Sequence, residues 1–154
     1  MPMDTTRVSA AAFSATLALA ACGGGSSSGS PDTTPPTQPA AANTAPGITV
    51  VSAWQAAATI AAPPDDLVIL DVRTPEEFTQ GHIEGAVMID FYEADFTDQL
   101  ARLDPDIPYV LYCRSGSRSG QTTAIMDELG FTSVQDVDGG VLAWGSAGLP
   151  LITK

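Results

Sequence analysis

The chain has 154 residues, 44% of them hydrophobic and only 16% charged, with a net charge of −12. That length allows one domain with a tail, and the acidic balance excludes nucleic-acid binding, which needs a basic face. Among the first 47 residues only Asp4, Arg7 and Asp32 are charged, so the negative charge belongs to the segment that follows.

Val8 to Ala21 is an uncharged run of small and apolar residues behind Arg7. A membrane-spanning helix needs about 20 such residues, whereas this shorter run suits the apolar part of an export signal. It ends in Leu19-Ala-Ala-Cys22, a string that resembles the bacterial lipoprotein signal. The resemblance implies that residues 1–21 are removed and that Cys22 is lipidated. The mature chain would then be anchored in the bacterial cell envelope, outside the cytoplasmic membrane, touching the membrane through the lipid alone. Residues 22–47 hold Gly, Ser, Thr, Pro and Ala with no aromatic residue and no apolar period. Such a segment buries too little surface to offset its ordering entropy and reads as a tether. Residues 48–154 are the expected folded domain.

Ile48–Val51 is a short β-rich run. Ser52 to Gln55 matches a capping box and opens a helix with Trp54, Ala58 and Ala61 on its apolar face, stopped by Pro63 and Pro64. Leu67–Val72 is a continuous apolar strand, as expected where a sheet is covered on both faces. Thr74 is the N-cap of a second helix, with Pro75 at its first position and Glu77 two residues on; Gly81 keeps it short. Ala86–Ile89 is a third strand. Phe96, Leu100 and Leu103 share a helical face that ends at Asp104-Pro105, and Tyr109–Tyr112 is a fourth strand. A helix then runs to about Leu129, closed by Gly130, followed by a fifth strand at Ser133–Val137 and a last short helix from Val141 to Trp144. Strands alternating with helices imply an α/β fold: a five-stranded parallel sheet with helices on both faces. The pattern does not set the strand order.

Cys113 lies where the fourth strand ends and a helix begins, the edge at which open α/β sheets bind ligands. With Cys22 blocked by lipid it is the one thiol left, which is unusual in an oxidising compartment. The segment Cys113-Arg-Ser-Gly-Ser-Arg118 places backbone N–H groups, a helix N-terminus and two guanidinium groups around the sulfur. All three favour a thiolate and would hold an anionic substrate beside it. Arg114 and Arg118 are two of the five basic residues beyond residue 47.

Leu70-Asp71-Val72-Arg73, Glu77-Phe78, Gly81-His82-Ile83-Glu84-Gly85-Ala86, the Cys113–Arg118 loop and Gly139-Gly140-Val141-Leu142-Ala143-Trp144 together resemble the rhodanese family over nearly the whole domain. The resemblance implies a rhodanese-like fold and a sulfurtransferase that works through a Cys113 persulfide. A small donor such as thiosulfate charges it, and a thiophilic small molecule or a protein acceptor discharges it. Arg114, Ser115, Gly116, Ser117 and Arg118 would bind substrate, with Arg118, which closes the loop, facing the anion more directly than Arg114. No metal or organic cofactor is implied. Two alternatives share the loop: a Cys-dependent phosphatase or arsenate reductase, and a non-catalytic binding module. The phosphatases place one residue more between Cys and Arg than the four here, and usually a His where Tyr112 stands. His82 reads as a structural hydrogen-bonding residue, Trp144 as core, and Asp71 and Arg73 as ties between the strand end and the neighbourhood of Glu77.

Overall fold

A computed structural model describes residues 47–153. The expected export signal, Cys22 and the tether up to residue 46 lie outside the described residues. The elements run β1 (Gly47–Val51), α1 (Ala53–Ala61), β2 (Val68–Asp71), α2 (Pro75–Gln80), β3 (Val87–Met88), α3 (Phe96–Leu100), β4 (Tyr109–Tyr112), α4 (Ser117–Glu128), β5 (Ser133–Val137) and α5 (Gly140–Ser146). The five strands form one sheet in the order β1-β5-β4-β2-β3, and every pairing is parallel.

β4 shows why the sheet needs two covers. Tyr109 and Leu111, continued by Cys113, point into a cluster with Phe96 and Leu100 of α3 and Met126 of α4. Val110 and Tyr112 point the other way, into a cluster with Ala53 and Ala56 of α1 and Val141 and Trp144 of α5. A strand buried on both faces has no place for polar side chains, hence its continuous apolar run. The expected two-faced parallel sheet is the observed one.

Both capping boxes are present. Gln55 N–H donates to Ser52 Oγ at 3.3 Å while the Gln55 side chain accepts from Ser52 N–H at 2.9 Å. Thr74 and Glu77 repeat the pattern at α2. The expected apolar face of α1 needs correction. Trp54 is 62% exposed and Ala58 and Ala61 are exposed, whereas Ala53, Ala56 and Thr59 face the sheet. Successive helical side chains are turned by about 100°, so the neighbour of a buried residue points elsewhere. The small Ala53 and Ala56 let the helix lie close to the sheet, and Thr59 Oγ1 donates to Gln135 Oε1 of β5 at 2.9 Å. These contacts set the rotation of α1 and leave the bulky indole outside. α3 is also shorter than its apolar face: Leu103 lies past its end yet packs on the same cluster.

Candidate active site

β4 delivers the chain to Cys113 at the carboxyl edge of the sheet, and the next residues turn back to start α4. Gly116 makes the turn with φ +95°, a left-handed conformation that side chains rarely adopt. The turn aims the Gly116 N–H at Cys113 Sγ, 3.1 Å away. The loop is held from outside by the start of α5. Val141 N–H donates to Cys113 O at 2.9 Å and Leu142 N–H to Arg114 O at 3.1 Å. That approach leaves no room at Gly140 (φ +56°), where a Cβ would run into the Cys113 carbonyl oxygen and stand 2.8 Å from the Arg114 carbonyl carbon. The Gly139-Gly140 pair of the last motif is therefore a seat for the Cys113 loop.

Cys113 is 1% exposed. Burial pushes its thiol up, but hydrogen bonds from the Ser119 N–H and hydroxyl and from the Ser115 and Gly116 N–H groups outweigh it and hold the thiol below its ordinary value. A sulfur ringed by donors is a site for negative charge. Of the expected binding residues, Arg114, Ser115 and Ser117 are exposed, and Gly116 and Arg118 are half-buried.

The geometry decides the family together with one comparison: the rhodanese-like domain family matches residues 52–147, more than half of the chain. The chain belongs to the rhodanese-like family. A sulfurtransferase of Allochromatium vinosum is 34% identical over 88 residues, which span 57% of this chain and 80% of that one. The chloroplastic thiosulfate sulfurtransferase 16 of Arabidopsis thaliana is 38% identical over 91 residues, 53% of this chain and 76% of that one. The crystal structure of a rhodanese-related protein from Thermoplasma volcanium matches with a TM-score of 0.60 at 27% identity, covering 68% of this chain and 98% of that chain.

In this rhodanese-like domain the arginines divide their work. Arg118 grips Glu77 with both terminal nitrogens, Nη1 to Oε2 at 2.7 Å and Nη2 to Oε1 at 2.8 Å, and its guanidinium lies 5.6 Å from the centre of the Tyr92 ring. Those hydrogen bonds, followed by the one from Thr74 N–H and the positive charges of Arg118 and Arg73, outweigh burial and hold the Glu77 carboxyl down at about 2. Arg73 lies deeper. It pairs with Asp71, Nη2 to Oδ2 at 2.6 Å, and donates to the carbonyls of Glu77 at 3.2 Å and Gly81 at 2.8 Å. This matches the expectation that Asp71 and Arg73 tie the strand end to the region of Glu77. Beside the loop runs an open groove of about 540 Å³ whose walls include Arg73, Glu77, Arg114 and Leu142.

His82 is structural as expected: its Nδ1 lies 2.9 Å from the Phe78 carbonyl oxygen, and its ring stacks on Phe78 with centroids 3.7 Å apart. Trp144 is core, 3% exposed, with Nε1 donating to Pro150 O at 2.9 Å. Among the described residues no group of His, Cys, Asp and Glu is placed to hold a metal ion. Two residues at the site escape the motif. Ser119 sits one position past the loop and is fully buried, and Asp136 of β5 is 6% exposed. The available signal was the spacing of Ser119, Thr122 and Met126, which share the buried face of α4.

Proposed function

We propose that this chain is a sulfurtransferase that carries a sulfane sulfur on Cys113. The observation behind the reading is the ring of donors on a buried sulfur, with Gly116 N–H at 3.1 Å from Sγ and Ser119 beside it. The Cys113 thiolate attacks the sulfane sulfur of a donor such as thiosulfate. The donor S–S bond breaks, sulfite leaves with the electron pair, and the charge moves to the terminal sulfur of the new persulfide. A thiophilic acceptor, such as cyanide or a thiolate, then attacks that terminal sulfur. The bond to Sγ breaks and the thiolate returns to its donors. Arg114 and Arg118 supply positive charge at the mouth, and the chemistry requires no metal or organic cofactor.

The geometry favours sulfur over phosphorus. A phosphatase loop places five residues between its Cys and its Arg to cradle a phosphate, whereas four separate Cys113 from Arg118 here, a tighter turn that suits a terminal persulfide sulfur better than a phosphate. Incubation with thiosulfate should add one sulfur atom to Cys113, removable by cyanide, and Cys113→Ser should abolish transfer with the fold intact. Efficient aryl-phosphate hydrolysis without a persulfide in the mass spectrum would overturn this reading.

We also propose, from the Leu19–Cys22 string alone, that Cys22 is acylated and anchors the domain in the bacterial cell envelope. One acyl chain binds membranes only marginally, so stable anchoring needs more than one. Labelled fatty acid should enter the wild-type chain and not Cys22→Ala; equal labelling of the two would refute the anchor.

A further inference from the structure

Asp136 is a charged residue in a place built for an apolar one. It pairs with Leu111 in the β4–β5 register, and alternation along the strands puts its side chain on the face that carries Leu111, Cys113 and Val134. That face lies under α4. The carboxyl is 6% exposed, and its Oδ1 has no hydrogen-bond partner among the described residues. An unsatisfied buried carboxyl oxygen destabilises a fold, and an apolar residue would remove the penalty. The flanking pairs offer no compensation, since Leu111 on β4 and Val50 on β1 are both aliphatic.

The polar side chain that bears on the Asp136 carboxyl is Ser119, whose hydroxyl donates to the Gly116 carbonyl at 3.2 Å. Ser119 is fully buried and bears on both the carboxyl and the reactive sulfur. Its hydroxyl has one proton, which goes to the Gly116 carbonyl at 3.2 Å, and the Cys113 sulfur and the Asp136 carboxyl are the two other acceptors on which it bears. We propose that Asp136 is a positioning residue which sets the direction of the Ser119 hydroxyl and, through it, the charge that Cys113 can hold. When Asp136 is ionised it draws the hydroxyl proton to itself and away from the sulfur. When it is protonated it donates to Ser119 Oγ, and the hydroxyl proton is free for Sγ. Burial pushes the Asp136 carboxyl up, against the Ser119 hydrogen bond and with help from nearby Asp138, so the protonated form is within closer reach than for an exposed Asp. Among the described residues Arg118 also brings its charge to bear on the sulfur.

Because this role rests on the sulfurtransferase reading only where turnover is concerned, its test begins with the resting thiol. Iodoacetamide labelling of the Cys113 peptide of the full chain is followed by mass spectrometry across pH. At a pH below the wild-type midpoint, Asp136→Asn, whose NH2 can donate to Ser119 Oγ as the protonated acid does and which carries no charge, should raise the labelling rate several-fold. In a Ser119→Ala background the same change should leave the rate where it was. Asp136→Val, which removes the competing acceptor and suits a buried strand, should act in the same direction and serves where the Asn variant does not fold. In thiosulfate:cyanide assays, Asp136→Asn should move the pH profile of kcat with little change in KM. Equal shifts with and without Ser119, or no shift in either background, would overturn the proposal. Coupling in the labelling experiment without any persulfide would leave this inference standing and remove the sulfurtransferase reading instead.

Discussion

Helices α1 and α2 begin differently from α4 and α5. The first two are closed by their own side chains, through the Ser52–Gln55 and Thr74–Glu77 boxes. The other two begin at a left-handed glycine, Gly116 and Gly139, with no side-chain cap. The first turn of any helix leaves N–H groups without intrahelical partners. A capping side chain satisfies them and ends their availability. At α4 the uncapped N–H of Gly116 turns to the Cys113 sulfur, and at α5 those of Val141 and Leu142 hold the carbonyls of the loop that carries it. In this fold a capped start marks a scaffold helix and an uncapped glycine start marks a helix that serves the site.

The sharpest break in that contrast is at Gly140. An Ala there would need the left-handed backbone and would press its Cβ into the Cys113 carbonyl oxygen, with backbone atoms of Arg114 just beyond. Rigid backbone on both sides offers little relief. The expected cost is about 2–3 kcal/mol of stability, with transfer activity falling further than stability because the loop itself shifts. Thermal unfolding and thiosulfate:cyanide kinetics on Gly140→Ala check both. A variant as stable and active as wild type would show that α5 does not seat the loop.

A smaller effect separates the two loop arginines. Arg118 lies at the uncapped start of α4, close enough for its charge to interact with Cys113, and is braced by Glu77. Arg114 is exposed at the groove wall. Arg118→Ala should raise the thiosulfate KM about tenfold, the scale of one lost charge-assisted contact. Arg114→Ala should raise it less, and the reverse order would reassign the anion site to the groove.

Much of this contrast is legible in the sequence, because caps and loops are local. Ser52, Thr74-Pro75 and the Cys113–Arg118 run each lie within a few residues of what they organise. The strand positions are legible as well, from apolar runs such as Tyr109–Tyr112. Strand order is not, since a strand buried on both faces carries no mark of its neighbour. The rotation of α1 was missed because Trp54 looks like a core residue, whereas close packing on the sheet selects Ala53 and Ala56. Asp136 and Ser119 were missed for a different reason. Their roles depend on the β4–β5 register and the seating of α4, which only the assembled fold supplies. The same holds for Glu77 and Arg118, 41 positions apart.

Glu77 is where the two kinds of helix start meet. It completes the capping box of α2, accepting from Thr74 N–H at 3.2 Å, and it braces the Arg118 guanidinium at the start of α4. Glu77→Gln separates these roles, because an amide oxygen can still accept from Thr74 but brings no charge to Arg118. The Glu77 carboxyl sits at about 2 rather than its ordinary 4.5, first because of the Arg118 hydrogen bonds. A carboxyl held below its ordinary value stabilises the fold fully above that value, and the contribution fades as pH falls toward the folded one. Wild type should therefore be more stable than Glu77→Gln by about 1 kcal/mol at neutral pH, a modest figure because the pair is partly open to solvent. The gap should narrow from about 4.5 downward and close near 2. Denaturant melts of both chains at stepped pH measure it. A gap that stayed constant into acid would trace to the cap rather than to the ion pair, and the brace between the two helix starts would have to be abandoned.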